Sequence, residues 1–349
     1  MKKVLSSIVL IIILIIAGCV EKFTPDIDEV QYFPVVEGLI TNQPEVYTIR
    51  LYWSIPVGET KIIPLGRCDV KVHDDQRHIY KFTETSTPGI YVSDSTTFQG
   101  VVGRKYTLRL NTNNATLKRY SYESVPVEMK AVPPIDSLYY EKALITGILP
   151  WGSQKEGCQI YLNTYDPTGE CRFFRWNYTE TWKFEVPFNV PNHTCWITNN
   201  SKDIDIKNTT TLSDSRIVCH PVILITNETD RLSRRYSIIV NQYSLSEEEF
   251  AYWEKLQNVS QDVGSLYDII PFSIPGNIYC VEDPGEKIFG YFSVSARTSK
   301  RIYINTIFPL SLYFYRLCAM DPAMMAVDRR CGDCTYRGTL KKPDFWVDY

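Results

Sequence analysis

Val46-Tyr47-Thr48-Ile49-Arg50-Leu51-Tyr52-Trp53 is the stretch that decides the fold class of this chain. Tyr47, Ile49, Leu51 and Trp53 fall on one face of an extended segment, and Thr48, Arg50 and Tyr52 fall on the other. A period of two is what a half-buried β-strand requires, because successive side chains point to opposite sides of the sheet. The same short alternating runs recur on both sides of it, at 35–41, 45–53, 68–73, 78–82, 89–93, 105–111 and 119–124. Turn residues such as Thr87-Pro88-Gly89 separate them. Seven such runs predict an N-terminal β-sandwich of immunoglobulin-like or transthyretin-like type over 35–131. Composition agrees, since 24 tyrosines, 20 prolines and 17 glycines favour many short strands joined by frequent turns.

Pro126, Pro133 and Pro134 remove backbone donors between 125 and 136 and predict a boundary near 132. A second β-rich region is expected from 132 to 349, with strands at 159–165, 172–186, 217–226, 235–242, 289–296 and 301–306. One helix near 247–258 interrupts it. Ser246 and Glu249 have the spacing of a capping box, Glu247 and Glu248 complement the helix dipole, and Phe250, Trp253 and Leu256 form an apolar stripe for packing.

Ahead of the first strand, Lys2 and Lys3 precede a 13-residue stretch from Val4 to Ile16 that is apolar except for Ser6 and Ser7, then Ala17-Gly18-Cys19. Charged, apolar and small residues in that order form a secretory leader, and the stretch is shorter than the ~20 residues that span a bilayer. Small residues directly before a cysteine predict cleavage after residue 18 and a lipid on Cys19. Residues 19–34, with Glu21, Asp26, Asp28, Glu29, Pro25 and Pro34, read as a lipidated tether. With the leader gone, 35 of the 37 basic residues remain against 40 acidic ones. That balance gives no electrostatic case for nucleic acid or for an anionic lipid surface.

Ten cysteines, one of them Cys19, leave nine in an oxidising compartment, so disulfides are expected and at least one thiol is left over. Cys195, Cys280, Cys318, Cys331 and Cys334 are the candidates. Cys331-Gly-Asp-Cys334 lacks the second pair of a zinc site and the βαβ context of a redox motif, so a structural disulfide involving the tail is its expected use.

Several stretches taken together carry a resemblance. Val35-Val36-Glu37-Gly38-Leu39-Ile40-Thr41 follows soon after Cys19, then come Pro134-Ile135-Asp136-Ser137-Leu138, Arg235-Tyr236-Ser237 and Gln242-Tyr243-Ser244-Leu245-Ser246. Gly264-Ser265-Leu266-Tyr267-Asp268, Gly276-Asn277-Ile278, Gly290-Tyr291-Phe292-Ser293, Cys331-Gly332-Asp333-Cys334 and Lys342-Pro343-Asp344-Phe345-Trp346 complete the order. In number and order they resemble the outer-membrane lipoproteins of Bacteroidota type grouped as domain-of-unknown-function family 4249. The resemblance implies a lipoprotein of the outer membrane, often encoded beside a TonB-dependent transporter, with no assigned activity or catalytic residues. The acidic residues after Cys19 are similar to surface-export signals of such lipoproteins, so display on the outer face is expected.

The chemistry within the sequence points away from an enzyme. The four histidines, His73, His78, His193 and His220, form no H-E-x-x-H, and there is no G-x-S-x-G elbow, phosphate loop or dinucleotide fingerprint. No cofactor and no metal are expected. His73, Asp74, Asp75 and His78 read as a polar hairpin turn rather than a metal site. Tryptophans at 53, 151, 176, 182, 196, 253 and 346 invite a sugar-stacking surface, although aromatic enrichment is ordinary in strands. Trp176, Trp182, Phe345 and Trp346 are the candidate binding surface, with Phe173-Phe174-Arg175-Trp176-Asn177-Tyr178 as an interface strand if exposed. The expected function is a non-enzymatic accessory or cargo-capture partner of a TonB-dependent transporter or other outer-membrane barrel. A stand-alone glycan- or peptide-binding lipoprotein is the alternative, followed by a hydrolase whose carboxylates meet only in space.

Overall fold

The computed structural model describes residues 32–55, 61–112, 120–145, 155–186, 188–262, 274–305 and 328–347. Cys19, Trp151, the 264–268 stretch and Cys318 lie outside them. The first strands are β1 (Pro34–Ile40), β2 (Thr48–Trp53), β3 (Ile63–Pro64), β4 (Cys68–Asp74), β5 (Ile79–Glu84), β6 (Ile90–Val92), β7 (Lys105–Thr112), β8 (Ser121–Ser124) and β9 (Val127–Glu128). The chain then changes sheet with β10 (Ile135–Ile145), β11 (Lys155–Asp166), β12 (Phe173–Glu185), β13 (Thr194–Asn200), β14 (Asp205–Asn208), β15 (Ser215–Thr226) and β16 (Tyr236–Ser244). Helix α1 (Glu247–Asp262) follows, then β17 (Ile278–Cys280), β18 (Phe289–Val294) and β19 (Arg297–Ile304). The fold is mainly β, as the alternating runs predict, and α1 is the one α-helix among the described residues. No helix among the described residues is long and apolar enough to cross a membrane.

The alternation read at 46–53 is realised in space: Tyr47, Ile49 and Leu51 are buried in the first core with Trp53 packed against it, while Arg50 is exposed. That core belongs to one long sheet ordered β17-β8-β7-β4-β5-β6-β2-β1-β18. The sheet rolls until its ends meet. Asn277, just before β17, accepts from the Phe292 amide of β18 and donates to the Phe292 carbonyl, both at 2.9 Å. The backbones approach so closely there that a Cβ on Gly276 would fall 1.6 Å from the Gly290 carbonyl oxygen, and one on Gly290, at φ +89°, would fall 1.9 Å from that of Val36.

This closure revises the organisation expected from sequence. The expected second region, 132–349, includes 278–294, yet β17 pairs with β8, β18 pairs in parallel with β1, and Ile278, Phe292 and Val294 lie in the first core. The cause is that β1 and β8 have open edges that only strands from a distant part of the chain satisfy.

The second core lies between a three-stranded sheet, β10-β11-β15, and a five-stranded one ordered β13-β12-β16-β19 with β14 also on β12. Leu138, Ile160, Leu162, Phe174, Trp176, Trp182, Ile238 and Val240 fill it. β10 escapes an alternation test because a bulge between Ile135 and Ser137 puts Ile135 and Leu138, three apart, on the same inner face.

The two cores join where β18 runs directly into β19. Arg297 donates to the Asn42 side chain at 2.7 Å and pairs with Glu45 at 2.8 Å. Gln242 donates to the Pro133 carbonyl at 2.8 Å, and Ser244 to that of Lys130 at 2.6 Å. Leu39 of β1 packs with Tyr243, Leu245 and Phe250 in a small third cluster under α1.

Candidate functional site

The helix is capped as expected by Ser246, whose hydroxyl accepts from the Glu249 amide at 3.1 Å. Glu249 departs from the capping-box expectation: its carboxylate is fully buried at the junction and accepts from Trp253 Nε1 at 3.2 Å. Burial raises its pKa, and burial likewise lowers that of Arg175, whose guanidinium lies 3.8 Å from the centre of the Trp253 ring. The strand 173–178 is therefore committed to packing: Phe174 and Trp176 are buried and Arg175 is half-buried, so it offers no exposed aromatic patch.

A concave site does form beside α1, on the flank of the second sandwich. It is a cavity of about 200 Å³ lined by Trp176, Tyr178, Ser201, Asp203, Ile204, Asp205, Pro221 and Val222. β12 supplies the two aromatic residues, β15 supplies Pro221 and Val222, and the turn from β13 into β14 supplies the rest. Gln257 of α1 holds that turn by donating to the Ile204 carbonyl at 2.6 Å. At the back of the site, His220 Nε2 lies 2.9 and 3.1 Å from the two Asp205 carboxylate oxygens, and its ring centre is 4.3 Å from that of Trp176. The Trp176 indole N–H is held by Gln242 at 2.9 Å, and the Tyr178 amide donates to Ser201 Oγ at 3.1 Å. Burial, then the Glu180 carboxylate, pushes the Tyr178 phenol up to about 12, so it stays protonated.

Of the expected binding surface, Trp176 alone lines this cavity, at the wall of a buried core. Trp182 is 4 % exposed and packs in the second core under Arg231, because β12 is a central strand between β13 and β16 and its inner face has no access to solvent. Phe345 is 37 % exposed, but Trp346 is 4 % exposed and packs edge-on to Trp196 and Tyr303. Arg301 covers the Phe345 ring at 3.6 Å, so this pair clamps the tail to β19. The pairing of Asp205 with His220 has no sequence signal, since the two are fifteen residues apart and β14 is a short polar strand with no alternation to read.

The tail disulfide expected at the C-x-x-C is present: Cys334 is bonded to Cys195 across 139 residues, and Cys331 is disulfide-bonded as well. Cys280 corrects the sequence reading, being a free thiol in the first core with Glu282 3.7 Å from its sulfur. The His73–His78 stretch is the expected hairpin turn. Asp74 accepts from the Gln76 and His78 amides, each at 2.9 Å, and from the Tyr80 hydroxyl at 3.0 Å, and it pairs with Arg104. Burial alone would raise the Asp74 carboxyl, but those bonds hold it below its ordinary value. Among the described residues no cluster of His, Cys, Asp and Glu has metal-binding geometry.

The architecture is thus that of a mainly β protein with two packed cores, joined where β18 of the first sheet runs into β19 of the second, with a small acidic and aromatic cavity on the flank of the second. The family model described as Domain of unknown function (DUF4249) matches residues 20–301, and the chain belongs to that family. No curated protein matches the chain.

Proposed function

We propose that this chain is a lipid-anchored outer-membrane protein, displayed on the cell surface, that serves as a non-enzymatic accessory of a TonB-dependent transporter or another outer-membrane barrel and helps seat its cargo. The leader and Ala17-Gly18-Cys19 support the anchor. The observation that carries the accessory role is the parallel pairing of β1 with β18. Both strands run from the pole where the tether enters, near Phe33 and Phe289 with ring centres 5.3 Å apart, toward the junction at Ile40 and Ser295. The second sandwich, with its cavity, therefore projects from the side of the first sheet opposite the tether. From Cys19 to Pro34 the chain spans at most roughly 50 Å. A body held on such a leash, with its second half directed outward, suits docking beside a barrel.

The test is to solubilise native membranes gently, recover the tagged full-length protein with Cys19 intact, and identify what accompanies it by mass spectrometry. A stoichiometric barrel protein is expected, and the Cys19→Ala variant should lose both the membrane fraction and the partner. Recovery of the protein alone would overturn obligate docking.

A further inference from the structure

The donors and acceptors of the flank cavity do not balance. Two of its N–H donors are already used: the Trp176 indole by Gln242, the Tyr178 amide by Ser201. His220, behind the wall, has its Nε2 on Asp205. The other polar side chains of the lining are acceptor-rich: the carboxylates of Asp203 and Asp205 only accept, while the Ser201 and Tyr178 hydroxyls can both donate and accept. Asp203 is exposed and forms no ion pair among the described residues, and the neighbouring Lys202 pairs with neither carboxylate. Just beyond, the charge of buried Glu180 is met by Arg231 at 3.3 Å and by the Tyr236 hydroxyl at 2.9 Å, so no free cation from this wall compensates Asp203.

Size narrows the occupant. At about 200 Å³ the cavity is below the ~300 to 1,000 Å³ of sites for drug-sized ligands. It has room for one long side chain or one small ring and none for an oligosaccharide. A neutral sugar would leave the Asp203 charge uncompensated. A ligand with an apolar stem and a donor-only head fits better, because Trp176, Tyr178, Ile204, Pro221 and Val222 give the stem an apolar wall while the carboxylates and the Tyr178 π-face meet the charge.

We propose that this cavity binds an organic cation, the alkyl-ammonium or guanidinium head of a lysine or arginine side chain presented by a polypeptide partner. The inference rests on the binding, non-enzymatic reading above, and supplies the chemistry by which cargo or barrel would be recognised. Asp203 is the charge-selecting group at the rim. Asp205, oriented by His220, forms the inner end.

The test uses purified full-length protein in detergent and titrates Nα-acetyl-lysine methylamide, Nα-acetyl-arginine methylamide, n-butylamine, the neutral isostere Nα-acetyl-norleucine methylamide and a methyl pyranoside, read by calorimetry and indole fluorescence. Saturable binding of the two basic amides is expected, weakened about two- to fivefold by Asp203→Asn and by a tenfold rise in salt. Glu254→Gln, an exposed charge on α1, should leave it unchanged. Asp203 makes no hydrogen bond in the described structure, so its variant should keep the circular dichroism of the parent. Equal affinity for n-butylamine would support the cation site and assign it to free amines as well as peptides. Equal binding of the norleucine amide, preference for the pyranoside, or no effect of Asp203→Asn would overturn the inference. Co-purification of a barrel without amine binding would remove this inference and leave the accessory role standing, whereas amine binding without a barrel would do the reverse.

Discussion

Asn277→Ala should open the first sheet where its two ends meet. The Asn277 side chain satisfies both polar groups of Phe292 at 2.9 Å each, Phe292 is fully buried, and Asn277 itself is 9 % exposed. Alanine leaves an amide and a carbonyl on the outer edge of β18 without partners, at about 1 to 3 kcal/mol each, so the loss is about 2 to 6 kcal/mol. The lower part of that range applies if water enters the gap. Asn277→Asp should be no milder, since one carboxylate oxygen still accepts from the Phe292 amide while the other is driven against the Phe292 carbonyl. The backbone bond from Val125 to the Asn277 carbonyl, 2.9 Å, is untouched in both variants, which isolates the side chain. Urea unfolding of the full-length protein, followed by tryptophan fluorescence and far-ultraviolet dichroism, would measure it. With a slope of roughly 3 kcal/mol/M, the midpoint should fall by about 0.7 to 2 M. Asn241→Ala is the control: Asn241 bonds Asn177 and Ser299 on a wetter face, and its loss should stay near 1 kcal/mol. If Asn277→Ala moved the midpoint no further than Asn241→Ala, closure by this residue would be refuted.

Three further outcomes follow from the packing. Replacing both Cys195 and Cys334 by serine frees a link that spans 139 residues. The chain-entropy relation gives ~5 kcal/mol for it, so a loss of about 2 to 5 kcal/mol and faster amide exchange over 334–346 are expected, and an unchanged midpoint would contradict this. Burial raises the Glu249 carboxyl above its ordinary 4.5, so the native state binds that proton more tightly than the unfolded chain. Its stabilising contribution is complete below pH 4.5 and declines as pH rises through the higher native value, at ~1.4 kcal/mol per unit of elevation. Glu249→Gln keeps an acceptor for Trp253, so its unfolding free energy should fall less between pH 4.5 and 8 than that of the parent, and parallel profiles would sink the assignment. Of the five free thiols described, Cys219 is exposed, whereas burial pushes Cys158 and Cys171 up to about 12. A thiol reagent under native conditions should therefore label Cys219 well before Cys158 or Cys171, and equal rates would refute the burial argument.

The fold class was legible because most strands keep one wet face and one dry face. All seven runs expected in 35–131 appear as β1, β2, β4, β5, β6, β7 and β8. What the alternation hides is pairing. Ile278–Cys280 is three residues long, and nothing local in it says that its partner is β8, more than 150 residues earlier. The closure is encoded instead by residues that break strand logic, Gly276, Asn277 and Gly290, which carried part of the family resemblance before their physical role was visible. The site was less legible for a related reason. Tryptophan count points to stacking surfaces, yet Trp176 and Trp182 face inward on a central strand, and the polar groups of the cavity come from a short edge strand and a turn whose meeting with His220 is a tertiary fact.

Side chains of α1 brace the junction between the two cores. A connection made by one crossing strand would let the two sandwiches hinge between β18 and β19. Here α1 fills that angle: Phe250 packs on Leu39 and Phe173, Trp253 sits under the Arg175 guanidinium, and Tyr252 lies against Tyr291 of β18 with ring centres 4.8 Å apart and planes tilted by 35°. The Glu249 carboxylate is fully buried, and the Arg175 charge offsets part of that cost, so drawing α1 away from β12 would leave the carboxylate uncompensated. Helix α1 therefore links the first sheet to the second sandwich through side-chain packing, in addition to the covalent passage from β18 to β19.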